Sequence, residues 1–176
     1  VTSSGNTVST WDSTYKIFTT DIVGSVNGSG ALINLQGEVV AIVMQDYSSE
    51  GDQNTITAFS ISQLKSVIEA LSNSKDIPYL GMKVSTVTAE IHEKYELPKG
   101  AYIKSVKTDL PSPAMSAGIQ EGDVIVAMDG EEIVTTDGYT QKLLAMSPGQ
   151  QVKIKVMRQS GETYVELEFV VTVGVL

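Results

Sequence analysis

The stretch from Ser112 to Gly130 constrains the fold more than any other part of the chain. It reads as a small helical turn over Ser112 to Ala117 closed by Gly118, a strand at about 123–128, and the hairpin dipeptide Asp129-Gly130. Around it lie further strands at about 80–86, 101–107, 150–157 and 163–172. A short helix fits Thr88 to Tyr95, with Pro98 beyond it as a stop, and another starts at Thr136 or Asp137 and runs to Met146, ended by Pro148-Gly149. About 100 residues of mixed β and α make a self-sufficient domain.

The texture upstream is different, because all five prolines lie at or beyond position 78. Residues 1–60 read as short strands: Tyr15-Lys16-Ile17-Phe18-Thr19, then Leu32 to Leu35 and Val39 to Met44 joined by Gln36-Gly37 as a hairpin, then residues 55–59. After Ser62, a candidate N-cap, Leu64, Val67, Ile68 and Leu71 recur at i, i+3, i+4 and i+7, which predicts a helix. Ser72 to Pro78 is a polar linker. The expected division is residues 1–74 and residues 77–176.

Charge narrows the function classes. Twelve basic against 21 acidic side chains give −9, without the basic stripe that neutralises phosphates. Nucleic acid and anionic membrane surfaces are therefore disfavoured. The chain has no cysteine, which excludes disulfides, thiolate metal sites and cysteine nucleophiles. The lone histidine, His92, reads as a solvated side chain, and Glu90, Glu93 and Glu96 near it as an acidic helix face; no metal and no cofactor are expected. The chain opens at Val1 without a methionine, which reads as a piece of a longer protein.

Tyr79-Leu80-Gly81-Met82 and the Ser112 to Glu131 run together resemble, in order and spacing, the PDZ domain of bacterial HtrA-type proteases over about residues 78–172. That resemblance implies an α+β domain, a five- to six-stranded partly open barrel, that binds an extended peptide by strand addition. Gly81 would let neighbouring N–H groups converge on a terminal carboxylate. Leu80 and Met82 would face an apolar pocket closed by the helix carrying Tyr139, Leu143 and Met146; the alternative is that these are ordinary core residues.

Thr20-Asp21-Ile22-Val23, Asn27 to Ile42 and Thr57 to Ile61 look like the rear of an HtrA-family trypsin-like domain, the C-terminal portion of its second β-barrel. The resemblance implies a serine nucleophile whose loop amides hold the oxyanion. Counting forward from Thr20-Asp21 places the nucleophile at Ser29, with the N–H groups of Asn27 and Ser29 as oxyanion donors. Counting back from Asn34-Leu35 places Gly28 at the nucleophile position and Val26 where a glycine belongs, which would break the hole. Both registers stay open. The strand through Val43, Met44 and Gln45 would pair with substrate backbone. In this family base and acid precede the serine, and no histidine precedes Ser29, so this chain alone is not expected to hydrolyse peptides.

The reading is thus a fragment of an HtrA-like serine endopeptidase of bacterial protein quality control, with PDZ recognition of unfolded or C-terminal peptides. The alternative is a degenerate, inactive protease acting as a peptide-binding module. The resemblance implies a cell-envelope, extracytoplasmic location, anchored or secreted, and a parent that is trimeric or higher. A partial barrel leaves open strand edges, so self-association through residues 1–60 is also expected.

Overall fold

In a computed structural model, the structure describes residues 3–23, 29–43, 55–108 and 112–176. The chain is mainly β with short helices and forms two compact units, Val1–Val8 with Tyr15–Asn73 and Ser9–Thr14 with Ser74–Leu176. No helix among the described residues is long and apolar enough to cross a membrane.

The first unit is an open five-stranded sheet. Its strands are β1 (Ser3–Thr10) and β2 (Ser13–Val23), whose ends Ser9–Thr10 and Ser13–Thr14 are counted with the second unit, then β3 (Gly30–Ile33), β4 (Val39–Val43) and β5 (Thr55–Ser60), in the order β1-β2-β5-β4-β3. Among the described residues Ile17, Ala41, Ala58 and Phe59 are its buried apolar side chains, and Tyr15 meets the Phe59 ring edge-on at 5.6 Å. The β3–β4 connection is longer than the two residues expected. Asn34 leaves the strand because its Oδ1 accepts the N–H groups of Gln36 (3.0 Å) and Glu38 (2.9 Å), an Asx turn that competes with the ladder. Leu35 is left fully exposed.

Helix α1 (Ile61–Ser72) has the predicted stripe, but Ser60 rather than Ser62 is its N-cap, and the two hydroxyls bond to each other at 2.8 Å. None of its residues is buried.

The second unit carries the larger core. Strands β6 (Pro78–Tyr79), β7 (Met82–Thr86), β8 (Ala101–Val106), β9 (Val124–Met128), β10 (Glu131–Glu132), β11 (Gln151–Ser160), β12 (Thr163–Thr172) and β13 (Gly174–Val175) alternate with three helices. These are α2 (Ala89–Tyr95), α3 (Pro113–Ala117) and α4 (Thr136–Leu144). The main sheet runs β12-β11-β9-β8-β7, which leaves β7 at an edge; β10 pairs β9 and β13 pairs β6.

Local chemistry explains the breaks. Asp129 and Gly130 both have positive φ (49° and 82°), the backbone that a two-residue hairpin turn needs. The side chains of Thr88, Ser112 and Thr135 cap α2, α3 and α4, and Gly118 ends α3 with φ 95°. Helix α4 stops at Leu144, two residues before the predicted Met146. Along β11, Val152, Ile154 and Val156 alternate inward and are fully buried. They join Leu80, Met82, Ile103, Ile125, Met128 and Tyr139 in one apolar cluster.

Candidate functional site

Between β6 and β7 the chain turns at Gly81, whose φ is +85°. A left-handed residue between two extended ones points successive amides to one side, which is how a backbone anion nest forms. The loop is tied on its other side: the Leu80 carbonyl accepts the Ala114 N–H at 3.0 Å and the Gly81 carbonyl accepts the Lys107 N–H at 2.9 Å. A side chain at Gly81 would put its Cβ 2.5 Å from Cβ of Ser112, so only glycine fits.

The three amides converge on a carboxylate that belongs to the same unit. Leu80 N–H (2.8 Å) and Gly81 N–H (2.6 Å) donate to Oδ2 of Asp12, and Met82 N–H (3.1 Å) donates to Oδ1. The Tyr139 hydroxyl, from α4, donates to Oδ1 at 2.5 Å. The Asp12 main chain is held as well: its N–H donates to the Met82 carbonyl at 2.7 Å, and its carbonyl accepts the Thr140 hydroxyl at 3.2 Å. Asp12 sits at the tip of the two-residue turn Trp11-Asp12 with φ 57°, a left-handed conformation that aspartate tolerates. Beside it the Trp11 ring faces the ammonium groups of Lys83 (4.7 Å) and Lys107 (5.9 Å), an attractive cation–π arrangement.

Burial acts on both partners of this contact. Burial, together with the Asp12 charge, pushes the Tyr139 phenol well above its ordinary range, so it keeps its proton. Burial also raises Asp12 above the usual carboxylate value, although the phenol and the three amides pull it back down. A raised folded-state value favours the protonated form in the fold. The associated stability is present at low pH and is lost as pH rises through that raised value. Tyr139→Phe leaves the ring packed but removes the fourth hydrogen bond to a buried acid. It is expected to lower the unfolding free energy of this unit by about 1.5–3 kcal/mol, read from urea denaturation followed by emission of the lone Trp11.

Sequence reasoning anticipated the turn at Gly81 and the helix at Tyr139 but missed Asp12, Thr140 and the lysines around Trp11. The one local signal was an aspartate beside the only tryptophan, between two β-rich pieces. The five side chains proposed as a pocket lie inside instead: Leu80, Met82, Tyr139, Leu143 and Met146 are all buried in the apolar cluster. Tyr79 is half-buried, with the Lys107 ammonium 5.9 Å from its ring. At its far end the β7–α4 cleft is bridged by Thr86, whose hydroxyl accepts the Thr136 N–H at 3.0 Å.

In the first unit Ser29 is exposed, one residue before β3. Val26, Asn27 and Gly28 lie outside the described residues, as do Met44 and Gln45. Val43 cannot serve as a substrate-pairing edge, because β4 is interior there: Val43 faces Gly30 on one side and Ala58 on the other. His92 is not freely solvated. Its Nδ1 lies 2.6 Å from the Leu97 carbonyl, which assigns the proton to that nitrogen.

A β unit with an edge strand, a three-amide cradle at one end of that edge and a helix beside it defines a peptide-recognition module. The PDZ domain family matches residues 78–169. The similarity extends upstream into relatives described as "Probable periplasmic serine endoprotease DegP-like". The one from Hahella chejuensis is 34% identical over 147 residues, 81% of this chain and 31% of that protein. The one from Rhizobium meliloti is 31% identical over 146 residues, 81% of this chain and 29% of that protein. Among solved structures, the HtrA-type protease AlgW with decapeptide superposes with a TM-score of 0.55 at 22% identity, over 92% of this chain and 50% of that chain. AlgW with tripeptide gives 0.50 at 25% identity, over 84% and 48%. The chain belongs to the HtrA family of serine proteases that carry a PDZ domain. It spans about a third of the length of the curated relatives it matches.

Proposed function

We propose that this chain is the rear of a trypsin-like endopeptidase domain joined to a PDZ domain that receives extended peptides by their free carboxyl ends, in a protein acting outside the cytoplasmic membrane. The observation that carries the reading is the convergence of the Leu80, Gly81 and Met82 amides on one carboxylate. Three N–H donors and a phenol in a water-poor site recognise an anion with two oxygens, and β7 beside them is an edge strand of the main sheet. The location rests on relatives described as periplasmic.

For the hydrolytic half, exposure of Ser29 next to β3 supports its role as nucleophile. Serine at its ordinary pKa needs a general base. The single histidine of these 176 residues, His92, is bonded to Leu97 in the second unit, so in this reading the base comes from residues outside this sequence. A second reading, a peptide-binding module on a protease that no longer cuts, rests on the register that places Gly28 at the nucleophile position and Val26 where a glycine belongs.

Labelling of the full parent protein by a fluorophosphonate probe separates the two. The endopeptidase reading expects labelling of the wild type that is lost in Ser29→Ala. A wild type that stays unlabelled, while still binding peptides with free C-termini, overturns the enzyme and leaves the binder.

A further inference from the structure

We propose that the turn 9–14 is an exchangeable resident ligand of the carboxylate site, and that a peptide chain end binds there by displacing Asp12. This rests on the PDZ reading above and adds what that reading leaves out, namely that the receptor is already filled by its own chain. Asp12 reproduces both halves of what an incoming chain end needs. Its carboxylate takes the three loop amides and the Tyr139 hydroxyl. Its N–H donates to the Met82 carbonyl at 2.7 Å, the first bond of a strand added to β7. Because one carboxylate saturates all four donors, a second cannot be accommodated beside it, and binding is competitive.

The turn is also built to leave. It is held by hydrogen bonds and by two lysines stacked on Trp11 rather than by a buried apolar plug, since Trp11 is only half-buried. A terminal carboxylate brings the same charge and further strand bonds along β7 that a two-residue turn cannot make. Apparent affinity is then the intrinsic affinity reduced by the fraction of molecules in which the site is empty. The partner is therefore a free α-carboxylate on an extended chain, which must outcompete a tethered one.

Trp11 is the only tryptophan in the chain, so its emission reports the turn itself. The experiment titrates the 176-residue chain with a fluorescein-labelled, tryptophan-free hexapeptide ending in valine with a free carboxylate, and with its C-terminal amide. It follows peptide anisotropy, and Trp11 emission with unlabelled peptides. Expected are saturable binding of the acid form only, a red shift of Trp11 with the same midpoint, and at least about tenfold tighter binding by Asp12→Asn and Asp12→Ser. Equal affinity in wild type and variants, or wild-type saturation with no change in Trp11 emission, overturns the exchange while leaving the receptor intact. No binding of the acid peptide by the wild type or by either folded variant overturns the receptor reading and the exchange together. Should both variants fail to fold, the wild-type emission titration decides alone.

Discussion

Gly100→Ala is expected to unfold the second unit or to lower its stability by about 4 kcal/mol or more, in the tail reserved for steric and backbone failures. Gly100 precedes β8 with φ +154° and its carbonyl accepts the Val87 N–H at 3.0 Å. A Cβ there would lie 2.3 Å from the Ile125 carbonyl oxygen and 2.9 Å from Cγ1 of Val124. Neither neighbour can yield. Ile125 is paired to Ala101 and Val124 to Tyr102, and both are fully buried in the central strand. Relief would require opening the β8–β9 ladder, and β8 connects to the edge strand β7. For a unit of this size the loss corresponds to a fall in melting temperature on the order of 15–30 °C. Gly130→Ala is the control. It also has positive φ (82°) but meets nothing within 4 Å, so it pays only the left-handed strain, about 1 kcal/mol. Similar melting temperatures for the two variants would refute the steric argument.

The same contrast explains which parts of the fold were legible. Asp129-Gly130, Gly118 and the alternation along β11 announce themselves because local geometry alone decides them. Asn34 was not, since its turn depends on a side chain choosing amides two and four residues ahead over the ladder. The amide cradle could be read from Gly81, but its occupant could not: Asp12 is separated from Leu80 by 68 positions, and no periodicity carries information over that span. The pocket residues went astray for a related reason. Alternation shows that Leu80, Met82, Leu143 and Met146 face inward, but it cannot distinguish an open cleft from a filled one.

Arg158→Met is the second substitution with a large expected effect. Asp123 has a side chain only 1% exposed, and Arg158 grips it with both ends of its fork, Nε to Oδ1 and Nη2 to Oδ2, each at 2.7 Å. The same Nη2 donates to the Gly118 carbonyl at 2.9 Å, and the guanidinium lies 5.4 Å from the Phe169 ring centre. The hydrogen bond to Asp123, followed by its charge, holds the guanidinium above its ordinary value. Methionine preserves the contact with Phe169 but leaves the buried carboxylate, among the described residues, with the Gln120 N–H at 2.9 Å as its remaining donor. Breaking one side of a buried pair costs about 3–5 kcal/mol, and because Arg158 is a quarter exposed and water can reach the vacated space, the low end, about 3 kcal/mol, is expected. Arg158→Lys should fall between, since an ammonium cannot span both oxygens. Urea unfolding checks this order: an Arg158→Lys variant no more stable than Arg158→Met would mean that the loss is one of packing and not of an unpaired charge.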